Sequence, residues 1–381
     1  MNPLRPSDCP VLQVVFSGSS EEAWQNDPQG LGPRDLAMNV VLPELDGRIM
    51  TRAVSFKADA ERHAATECRI VTYRPVPDRI DFVADLAANW ARLHRTPPGE
   101  RRVAIILANY PNRDGRIGNG VGYDTPASTL AILHALDAAG YEVEGIPANP
   151  TAVIEALQAG PTNAAQRAGG AKLPLDDYMS YFAQLPNATR NAVNERWGGP
   201  DADPYFRDGA FHLPVHEYGS VVTAIQPARG YNIDPKETYH DPALPPPHGY
   251  LAFYLWLRER FRAHAVIHNG KHGNLEWLPG KANALSAACF PEAALGPLPQ
   301  LYPFIVNDPG EGAQAKRRTS AVIVDHLTPP LTRAETYGPL RELEALIDEY
   351  YMASGLDRRR LTALRRRIRH LTQSSGLDLD A

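Results

Sequence analysis

The sequence predicts an α/β fold with parallel or mixed sheets, glycine-rich loops at the strand ends and helical segments toward the C-terminus. Segments with helical periodicity lie between several short runs rich in β-branched residues, and polar loops follow these runs. Strands that alternate with helices are typical of α/β architecture. The runs have the length and composition of buried strands and lie at 11–16, 102–109, 220–226, 264–268, 302–308 and 320–327.

The first 150 residues contain the clearest strand–helix–strand pattern. The strand at 102–109 is followed by a glycine-rich loop and by the helical segment "PASTLAILHALDAAG", for which Thr125 is a candidate N-cap and Gly140 a candidate C-terminal cap. The segment "YEVEGIP" then has strand character, and a helical stripe at 80–93 precedes the whole unit. We therefore predict an α/β domain with a parallel sheet over residues 1–150.

Three further regions complete the predicted organisation. Residues 151–210 are expected to form a linker and a helical segment, because 157–175 carry few large apolar residues and 176–197 have helical periodicity. Residues 211–335 return to strand patterns and are expected to form an α/β domain that holds the substrate and metal sites. The tail, 336–381, has two apolar stripes of helical spacing and is expected to be a truncated helical segment.

Composition and charge exclude several classes of function. The chain has 381 residues, of which 43% are hydrophobic and 22% charged, and its net charge is −5, so we expect no nucleic-acid partner. The basic block "DRRRLTALRRRIRH" has an apolar helical face and is expected to pack on a part of the subunit absent from this chain, or to be a solvated amphipathic helix, rather than to bind DNA. The three cysteines form no CxxC pair, and no apolar run is long enough to span a membrane, so a cytoplasmic location is expected.

Titratable residues concentrate in the stretch "HAVIHNGKHGNLEWLPGK". His264, His268, His272 and Glu276 recur every four residues, a spacing that would suit one face of a helix. The β-branched start and the Asn-Gly and His-Gly pairs instead favour a strand that ends at His268. A glycine loop then follows, with Lys271 and His272 near its tip.

The residue types of this loop suit metal or acid–base chemistry. Glu276 precedes Trp277, and an apolar neighbour can raise a carboxylate pKa and make the group useful as a base. We therefore predict His272 and Glu276 as catalytic residues, and His268, His272 and Glu276 as metal-handling residues. His264 is expected to be structural.

Three other polar loops, at 109–126, 226–250 and 307–319, follow strands. Because strand ends cluster at one edge of a parallel or mixed sheet, we expect these loops to form a wide site around His272 and Glu276 for a large, partly flat, polyanionic ligand. No loop contains the GK[ST] of a Walker A motif, so ATP binding by this chain is not expected. The candidate substrate-binding residues are Arg229, Tyr239, His240, Lys271, Lys281, Asn109, Arg113 and Lys316.

Four long motifs resemble the large subunit of aerobic cobaltochelatase, the CobN family, and the resemblance extends over essentially the whole chain. The related large subunit of magnesium chelatase has a similar loop, typically with Phe-Met after the glutamate, whereas this chain has Trp277-Leu278, which favours the cobalt branch. The motifs are "ILANYPNRDGRIGNGVGYDTPAS" (106–128), "QPARGYNIDPKETYHDP" (226–242), "KHGNLEWLPGK" (271–281) and "NDPGEGAQAKRRTSAVIVDHLTPPLTRAE" (307–335).

The resemblance implies ATP-dependent insertion of Co²⁺ into hydrogenobyrinic acid a,c-diamide, a step of cobalamin biosynthesis. In this family the tetrapyrrole and the metal bind to the large subunit, while an AAA+ ATPase subunit and a second small subunit bind and hydrolyse ATP with Mg²⁺. Arg229 and Lys271 are then expected to bind the acidic periphery of the corrinoid, and His272 and Glu276 to handle the metal and the ring proton. Family members are much longer, so an internal fragment of the large subunit is expected, with the remainder of that subunit as a further partner.

Three alternatives remain open at this level. The fragment could bind tetrapyrrole or metal without catalysing insertion. It could belong to a magnesium chelatase large subunit, which inserts Mg²⁺ into protoporphyrin IX. A zinc hydrolase that uses His268, His272 and Glu276 is the third, although the sequence lacks HExxH and a clear third ligand.

Overall fold

The structure, a computed structural model, describes residues 9–109, 112–120, 122–230, 241–303, 309–325, 342–343, 345–347, 349–350 and 358–374. Two compact units make up the chain, Met1–His326 and Leu327–Ala381. Every described candidate site residue belongs to the first unit.

The described strands form three sheets. In chain order they are β1 (Leu12–Ser17), β2 (Ile49–Arg62), β3 (Arg69–Pro75), β4 (Val103–Leu107), β5 (Ala171–Pro174), β6 (Phe206–Arg207), β7 (Ala210–Leu213), β8 (Val215–Tyr218), β9 (Val221–Ile225), β10 (Ala265–Asn269), β11 (Gln300–Pro303) and β12 (Val322–Val324).

Within the described ranges, no helix is long and apolar enough to cross a membrane. The α-helices are α1 (Glu21–Asn26), α2 (Pro33–Leu36), α3 (Leu42–Leu45), α4 (Pro77–Arg95), α5 (Thr125–Ala138), α6 (Pro150–Gln158), α7 (Leu175–Phe182), α8 (Asn187–Trp197), α9 (His248–Leu255), α10 (Phe290–Leu295), α11 (Pro309–Thr319) and α12 (Arg358–Ser374).

Capping residues and prolines account for where several helices begin. At the start of α5, Oδ1 of Asp124 accepts a hydrogen bond from the N–H of Ala127 at 3.0 Å, so the N-cap is Asp124 rather than the predicted Thr125. Pro126 lies in the first turn, where its missing N–H has no cost. Gly140 follows the helix with φ +84°, as expected of a glycine at a helix C-terminus.

The central sheet has six strands in the order β12-β11-β10-β4-β9-β8. All neighbours are parallel except β8, which pairs antiparallel with β9. Alternate residues of β4 enter different cores: Ile105 and Leu107 pack with Leu133 of α5, whereas Ile106 packs with Phe253 of α9. A mixed sheet with helices on both faces confirms the predicted α/β fold class.

One sheet contains strands that the sequence assigned to separate domains. β4 pairs with β9 through Ile105↔Thr223 and with β10 through Ile105↔Ile267. The predicted boundaries at residues 150 and 211 therefore run through one connected sheet, and the first unit extends to residue 326. Parallel neighbours need long crossover connections, so their pairing is not visible in local periodicity.

The region predicted as a linker and a helical segment contains more regular structure than expected. Residues 151–210 include most of α6, together with α7 and α8 and the strands β5 and β6. The strands β5 and β6 pair with β7 in a small antiparallel sheet. This region is therefore part of the long connection between β4 and β9.

Three predicted elements differ from the structure. The segment "YEVEGIP" forms only an isolated bridge between Val143 and Gly219, not a strand of the parallel sheet. Residues 309–319, predicted as part of a polar loop, form α11. Its packed face is made of Ala315, Arg318 and Thr319 rather than of large apolar side chains. The sequence therefore lacks the apolar periodicity from which a helix is predicted. The predicted strand at 302–308 ends as β11 at Pro303, and the residues after it lie outside the described part of the chain.

Buried ion pairs join the N-terminal sheet to the rest of the first unit. In this sheet β1 is parallel to β2, and β2 is antiparallel to β3. Glu292 of α10 lies 2.6 Å from Nε of Arg52 on β2 and 2.8 Å from Nη1 of Arg79 on α4. All three side chains are almost fully buried, and the Arg52 guanidinium also lies over the Phe82 ring at 4.3 Å. Glu292 therefore compensates both buried cations, and Arg79 also lies 3.0 Å from the exposed carboxylate of Asp78.

In the second unit, the basic helix α12 has a partner for its apolar face. Leu364 is buried against Leu346, with Tyr350, Leu361 and Ile368 packed around them. The face packs on residues of the same chain, so the expectation that it packs on a part of the subunit absent from this chain is wrong for Leu364, which Leu346 covers.

Candidate active site

The candidate site lies where the chain order of the central sheet reverses. Strand β4 has β9 on one side and β10 on the other, and such a point is where ligands bind in α/β sheets, outside the carboxyl ends of the strands. The described parts of three loops meet here. Nδ2 of Asn274 donates to the Pro227 carbonyl at 3.0 Å, and Gly120 packs against Lys271.

Two glycines allow the loop after β10 to fold tightly over the strand end. Gly270 has φ +152°, and a Cβ at this position would lie 2.6 Å from Cβ of Ala108. A Cβ at Gly273 would lie 2.5 Å from Nε2 of His268. A side chain at either position would therefore push the loop away from the sheet.

Glu276 is a carboxylate buried beneath this loop, with 1% exposure. Its Oε1 accepts a hydrogen bond from the Tyr302 hydroxyl at 3.0 Å. Its Oε2 has no hydrogen-bond partner among the described residues. Burial raises the pKa of Glu276, and its own backbone N–H, the nearby His272, the Tyr302 hydroxyl and the nearby Arg318 reduce the rise. A carboxylate oxygen with no partner and a raised pKa is suited to take up a proton.

His272 occupies the outer, half-buried part of the site. Its Nδ1 lies 2.7 Å from the Gly273 carbonyl oxygen, and because a carbonyl can only accept, Nδ1 carries a proton in this arrangement. Its Nε2 lies 3.4 Å from Oε2 of Glu311 on α11. Both side chains are 34% exposed. The imidazole and the carboxylate therefore form a half-buried pair of polar groups in which Oε2 of Glu311 is itself buried and has no hydrogen-bond partner among the described residues.

Arg318 holds the loop segment that carries Glu276. Its guanidinium donates to the carbonyl of Glu276, to that of Leu278 at 2.7 Å and to that of Lys281 at 3.0 Å. The side chain is buried on α11, the helix that also carries Glu311. Three charge-assisted hydrogen bonds to one loop fix its backbone relative to this helix.

His268 is fully buried, and neither ring nitrogen has a hydrogen-bond partner among the described residues. Its ring centroid lies 4.7 Å from that of Tyr302. Burial lowers the pKa of His268 to about 3, with a smaller contribution from His272, so the imidazole is neutral at ordinary pH.

The three residues predicted to handle metal do not form one ligand cluster. In the part of the chain that the structure describes, no group of three or more His, Cys, Asp or Glu side chains could hold a metal ion. His268 and Glu276 both contact Tyr302 in the interior, whereas His272 pairs with Glu311 in the outer part of the site. The structure thus separates a buried pair from a half-exposed pair.

Replacing His268 by Gln should make the stability of the chain less sensitive to acid. Its pKa is about 3 in the folded protein and about 6.5 in an unfolded chain, so the unfolded state binds more protons between these values. The free energy of unfolding therefore falls as pH drops below 6.5, and between pH 7 and 5 this group accounts for about 2 kcal/mol of the loss. Urea unfolding at both pH values should show a loss smaller by that amount in His268→Gln.

Two comparisons make this test specific. His94→Gln changes an exposed histidine and serves as the matched control variant. Glu276 changes stability with pH in the opposite direction, because its raised pKa favours the folded state as pH falls. Since the parent chain and His268→Gln both contain Glu276, its contribution cancels in the comparison. An equal pH dependence in His268→Gln and the parent chain would contradict the prediction.

The predicted substrate-binding cations occupy different environments. Lys271 is half-buried in the loop after β10, and Lys316 is half-buried on α11. Arg229 is buried, with Nη2 donating to the Asp241 carbonyl at 2.9 Å. Lys281 donates to the three carbonyls of Trp24, Gln25 and Asp27 at 2.6 to 3.0 Å, so its ammonium caps the end of α1 and has no donor left for a ligand.

The remaining predicted residues divide between scaffold, surface and undescribed positions. Asn109 is buried, accepts a hydrogen bond from Asn163 at 2.8 Å and donates to the Arg113 carbonyl at 3.1 Å, so it holds the loop after β4. The Arg113 side chain is exposed. Tyr239 and His240 lie outside the described residues.

Tyr302 was not singled out from the sequence. In the loop at 307–319, Glu311 was considered only as a possible cation ligand and Arg318 only as a possible carboxylate-binding cation, and neither was among the predicted site residues. Tyr302 lies in a strand whose pattern indicates only burial, and Arg318 is one of three adjacent basic residues. Their contacts involve residues 26 and 42 positions away in sequence. The "NDPGEGAQAKRR" segment carried a signal for Glu311, since a carboxylate beside several cations directly after a strand is a frequent feature of sites at sheet edges.

Comparison with known proteins assigns the chain to a family. The family model described as CobN/Magnesium Chelatase matches residues 2–381. The aerobic cobaltochelatase subunit CobN of Sinorhizobium sp is 61% identical over 380 residues, which cover 99% of this chain and 30% of that protein. The H subunit of the magnesium chelatase of Rhodobacter capsulatus is 31% identical over 339 residues, which cover 84% of this chain and 27% of that protein.

A solved structure shares the fold. The catalytic subunit of cobaltochelatase from Mycobacterium tuberculosis matches with a TM-score of 0.77 and 42% identity, covering 97% of this chain and 31% of that one. The chain therefore belongs to the CobN/magnesium chelatase family and spans 30% of the length of the Sinorhizobium protein that it matches.

Proposed function

We propose that this chain is the part of a cobaltochelatase large subunit that carries the metal-insertion site, and that the subunit inserts Co²⁺ into hydrogenobyrinic acid a,c-diamide. The observation that carries the proposal is the arrangement of two unlike carboxylates around one loop. Glu276 is buried with a free oxygen, and Glu311 is half-exposed beside His272. Metal insertion needs both a proton acceptor and a separate group that binds the metal.

The outer pair is suited to receive the metal. Imidazole nitrogen and carboxylate oxygen are both ligands that Co²⁺ accepts. Because Nδ1 of His272 carries the proton that faces the Gly273 carbonyl, Nε2 is the nitrogen left to face Glu311 and an incoming ion. Two ligands at the edge of the site would hold Co²⁺ weakly enough to pass it on to the ring.

The inner carboxylate is suited to take the proton that leaves a ring nitrogen. A base in this role needs a pKa near the working pH, and burial moves the pKa of Glu276 upward from its usual acidic range. Lys271, beside the loop after β4, and Arg229, Arg113 and Lys316 in the surrounding elements are proposed to bind the acidic and amide groups of the corrinoid periphery. Tyr239 and His240 stay proposed members of the same substrate-binding set.

The nucleotide chemistry is assigned to partner subunits. The resemblance to cobaltochelatase large subunits implies that ATP with Mg²⁺ is bound by an AAA+ ATPase subunit acting with a second small subunit, and the lack of a Walker A sequence in this chain agrees with this division. The remainder of the large subunit would supply further walls of the tetrapyrrole site. The proposed location of the assembly is the cytoplasm.

A second function is favoured by the length of the chain. Because it spans 30% of the Sinorhizobium relative, the chain by itself could hold tetrapyrrole or metal without catalysing insertion. Magnesium chelation is less well supported, since identity to the Rhodobacter magnesium-chelatase relative is 31% against 61% for the Sinorhizobium CobN relative.

A reconstitution experiment separates these functions. The full-length subunit, its two partner subunits, ATP and Mg²⁺ should convert hydrogenobyrinic acid a,c-diamide to its cobalt form, followed by the absorbance of the cobalt corrinoid. The same mixture with protoporphyrin IX and Mg²⁺ as substrates should give no magnesium porphyrin. Tetrapyrrole binding without insertion by the full assembly would overturn the enzymatic proposal in favour of a binding function.

A further inference from the structure

Tyr302 connects the parts of the candidate site that lie farthest from solvent. It lies on β11, is fully buried, and its ring packs on that of His268. Its hydroxyl oxygen accepts a hydrogen bond from the backbone N–H of Gly273, and its O–H donates to Oε1 of Glu276 at 3.0 Å. One phenol thus contacts the strand end, the glycine loop and the buried carboxylate.

We infer that Tyr302 is a positioning residue that gives the two oxygens of Glu276 different roles, holding Oε1 and leaving Oε2 to exchange a proton with the tetrapyrrole. This inference rests on the proposed function. It goes beyond that function because it names the atom that carries the proton and the residue that selects it.

The argument follows from the single hydrogen of the hydroxyl group. The N–H of Gly273 points at a lone pair of the Tyr302 oxygen, and the hydroxyl hydrogen points at Oε1 of Glu276. An oxygen that accepts this hydrogen is not the oxygen that carries the acid proton of a neutral carboxyl group. The proton of Glu276 therefore belongs on Oε2, which has no hydrogen-bond partner among the described residues.

The proton transfer then balances without any further group. A lone pair of Oε2 forms a bond to the hydrogen of a ring N–H, and the electron pair of that N–H bond stays on the ring nitrogen, where it can bind the metal. Glu276 becomes neutral, and Oε1 keeps the hydrogen bond from Tyr302 as a carbonyl oxygen. The interior of the protein favours this neutral product over a buried charge.

The test uses the full-length subunit with its partner subunits and compares two buried tyrosines. Tyr302→Phe removes the hydroxyl that holds Glu276. Tyr250→Phe removes a buried hydroxyl that donates to Oδ1 of Asn274 in the same loop at 2.8 Å. We expect Tyr302→Phe to lower kcat for cobalt insertion by about tenfold to a hundredfold with little change in KM for the tetrapyrrole, and Tyr250→Phe to stay within about threefold of the parent protein.

The double variant shows whether Tyr302 acts by positioning Glu276 or by stabilising the loop in general. In a background that already carries Glu276→Gln, Tyr302→Phe should change kcat by less than about twofold, because the group through which it acts is gone. If Tyr302→Phe slows both backgrounds by the same factor, or if Tyr302→Phe and Tyr250→Phe are equally slow, the inference is wrong.

An infrared measurement tests the same contact without enzymatic activity. At a pH where Glu276 is neutral, the carboxyl C=O band that disappears in Glu276→Gln should shift in Tyr302→Phe and keep its position in Tyr250→Phe, because the Tyr302 hydroxyl donates to this carboxyl group whereas the Tyr250 hydroxyl donates to Asn274. An unshifted band in Tyr302→Phe would overturn the inference. Failure of the parent assembly to insert cobalt would count against the proposed function instead, and the band would still decide the role of Tyr302.

Discussion

Replacing Glu276 by Gln in the full-length subunit is expected to lower the rate of cobalt insertion at least about a hundredfold. The amide keeps the shape of the side chain and can still accept the Tyr302 hydrogen bond through its oxygen, but it cannot take up a proton at neutral pH. Tetrapyrrole binding should stay near the parent value, because the amide keeps the size and shape of a side chain that is only 1% exposed. Metallation rates and separate binding titrations measure the two effects.

The control for this variant is Glu217→Gln, which changes an exposed carboxylate on β8. It should leave insertion unchanged. Folding of Glu276→Gln can be verified by thermal unfolding above neutral pH. The raised pKa of Glu276 means that its ionisation costs the folded state free energy as pH rises, and the variant lacks this cost. Near-parental insertion by a folded Glu276→Gln variant would show that the proton leaves by another route.

His272→Ala tests the outer half of the same site. It removes the imidazole that faces Glu311 at 3.4 Å, so cobalt should be captured less well while tetrapyrrole binding persists. The expected result is a loss of most insertion activity that higher Co²⁺ concentrations recover in part. A rate that equals the parent rate at low Co²⁺ would show that the pair does not receive the metal.

The largest effect on stability is expected from Glu292→Gln, at about 3–5 kcal/mol of the free energy of unfolding. Glu292 is the acidic partner of Arg52 and Arg79, at 2.6 and 2.8 Å, and both guanidinium groups are 2% exposed. A neutral amide leaves the buried Arg52 cation without this carboxylate and leaves Arg79 paired with the exposed carboxylate of Asp78 at 3.0 Å. Urea unfolding of the first unit in parent and variant chains measures the difference.

Glu259→Gln is the matched control, because it breaks an ion pair of the same type near the surface. Glu259 lies 3.6 Å from Arg258 and is 40% exposed, so its loss should cost less than about 1 kcal/mol. If both variants lowered the free energy of unfolding by the same amount, burial would not explain the contribution of the Glu292 ion pairs to stability.

Local features of the sequence were sufficient for the fold class and for much of the secondary structure. The β-branched runs at 102–109, 220–226 and 264–268 became β4, β9 and β10 within a few residues. The glycine loop after His268 was also predictable, because Asn-Gly and His-Gly pairs disfavour a helix wherever they occur. Strand runs and glycine turns depend on residues that are neighbours in sequence, so they can be predicted without knowledge of the fold.

Domain boundaries and several site contacts could not be obtained in this way. The pairing of β4 with β10 links residues more than a hundred and fifty positions apart, and nothing local distinguishes it from other parallel pairings. The same holds for Lys281, which looked like a candidate substrate cation until its three carbonyl partners at the end of α1 became visible.

By itself, the sequence determined an α/β chain with a titratable glycine loop at the end of a strand, and its motifs identified the family. Only the tertiary structure decided which groups around that loop act together. In the folded chain Glu311 lies beside His272, the Tyr302 hydroxyl donates to Glu276, and Arg318 holds the backbone of the loop after β10. The physical reason is that hydrogen bonds and burial depend on distances in space, and helix α11 and strand β11 reach the loop only once the sheet has formed.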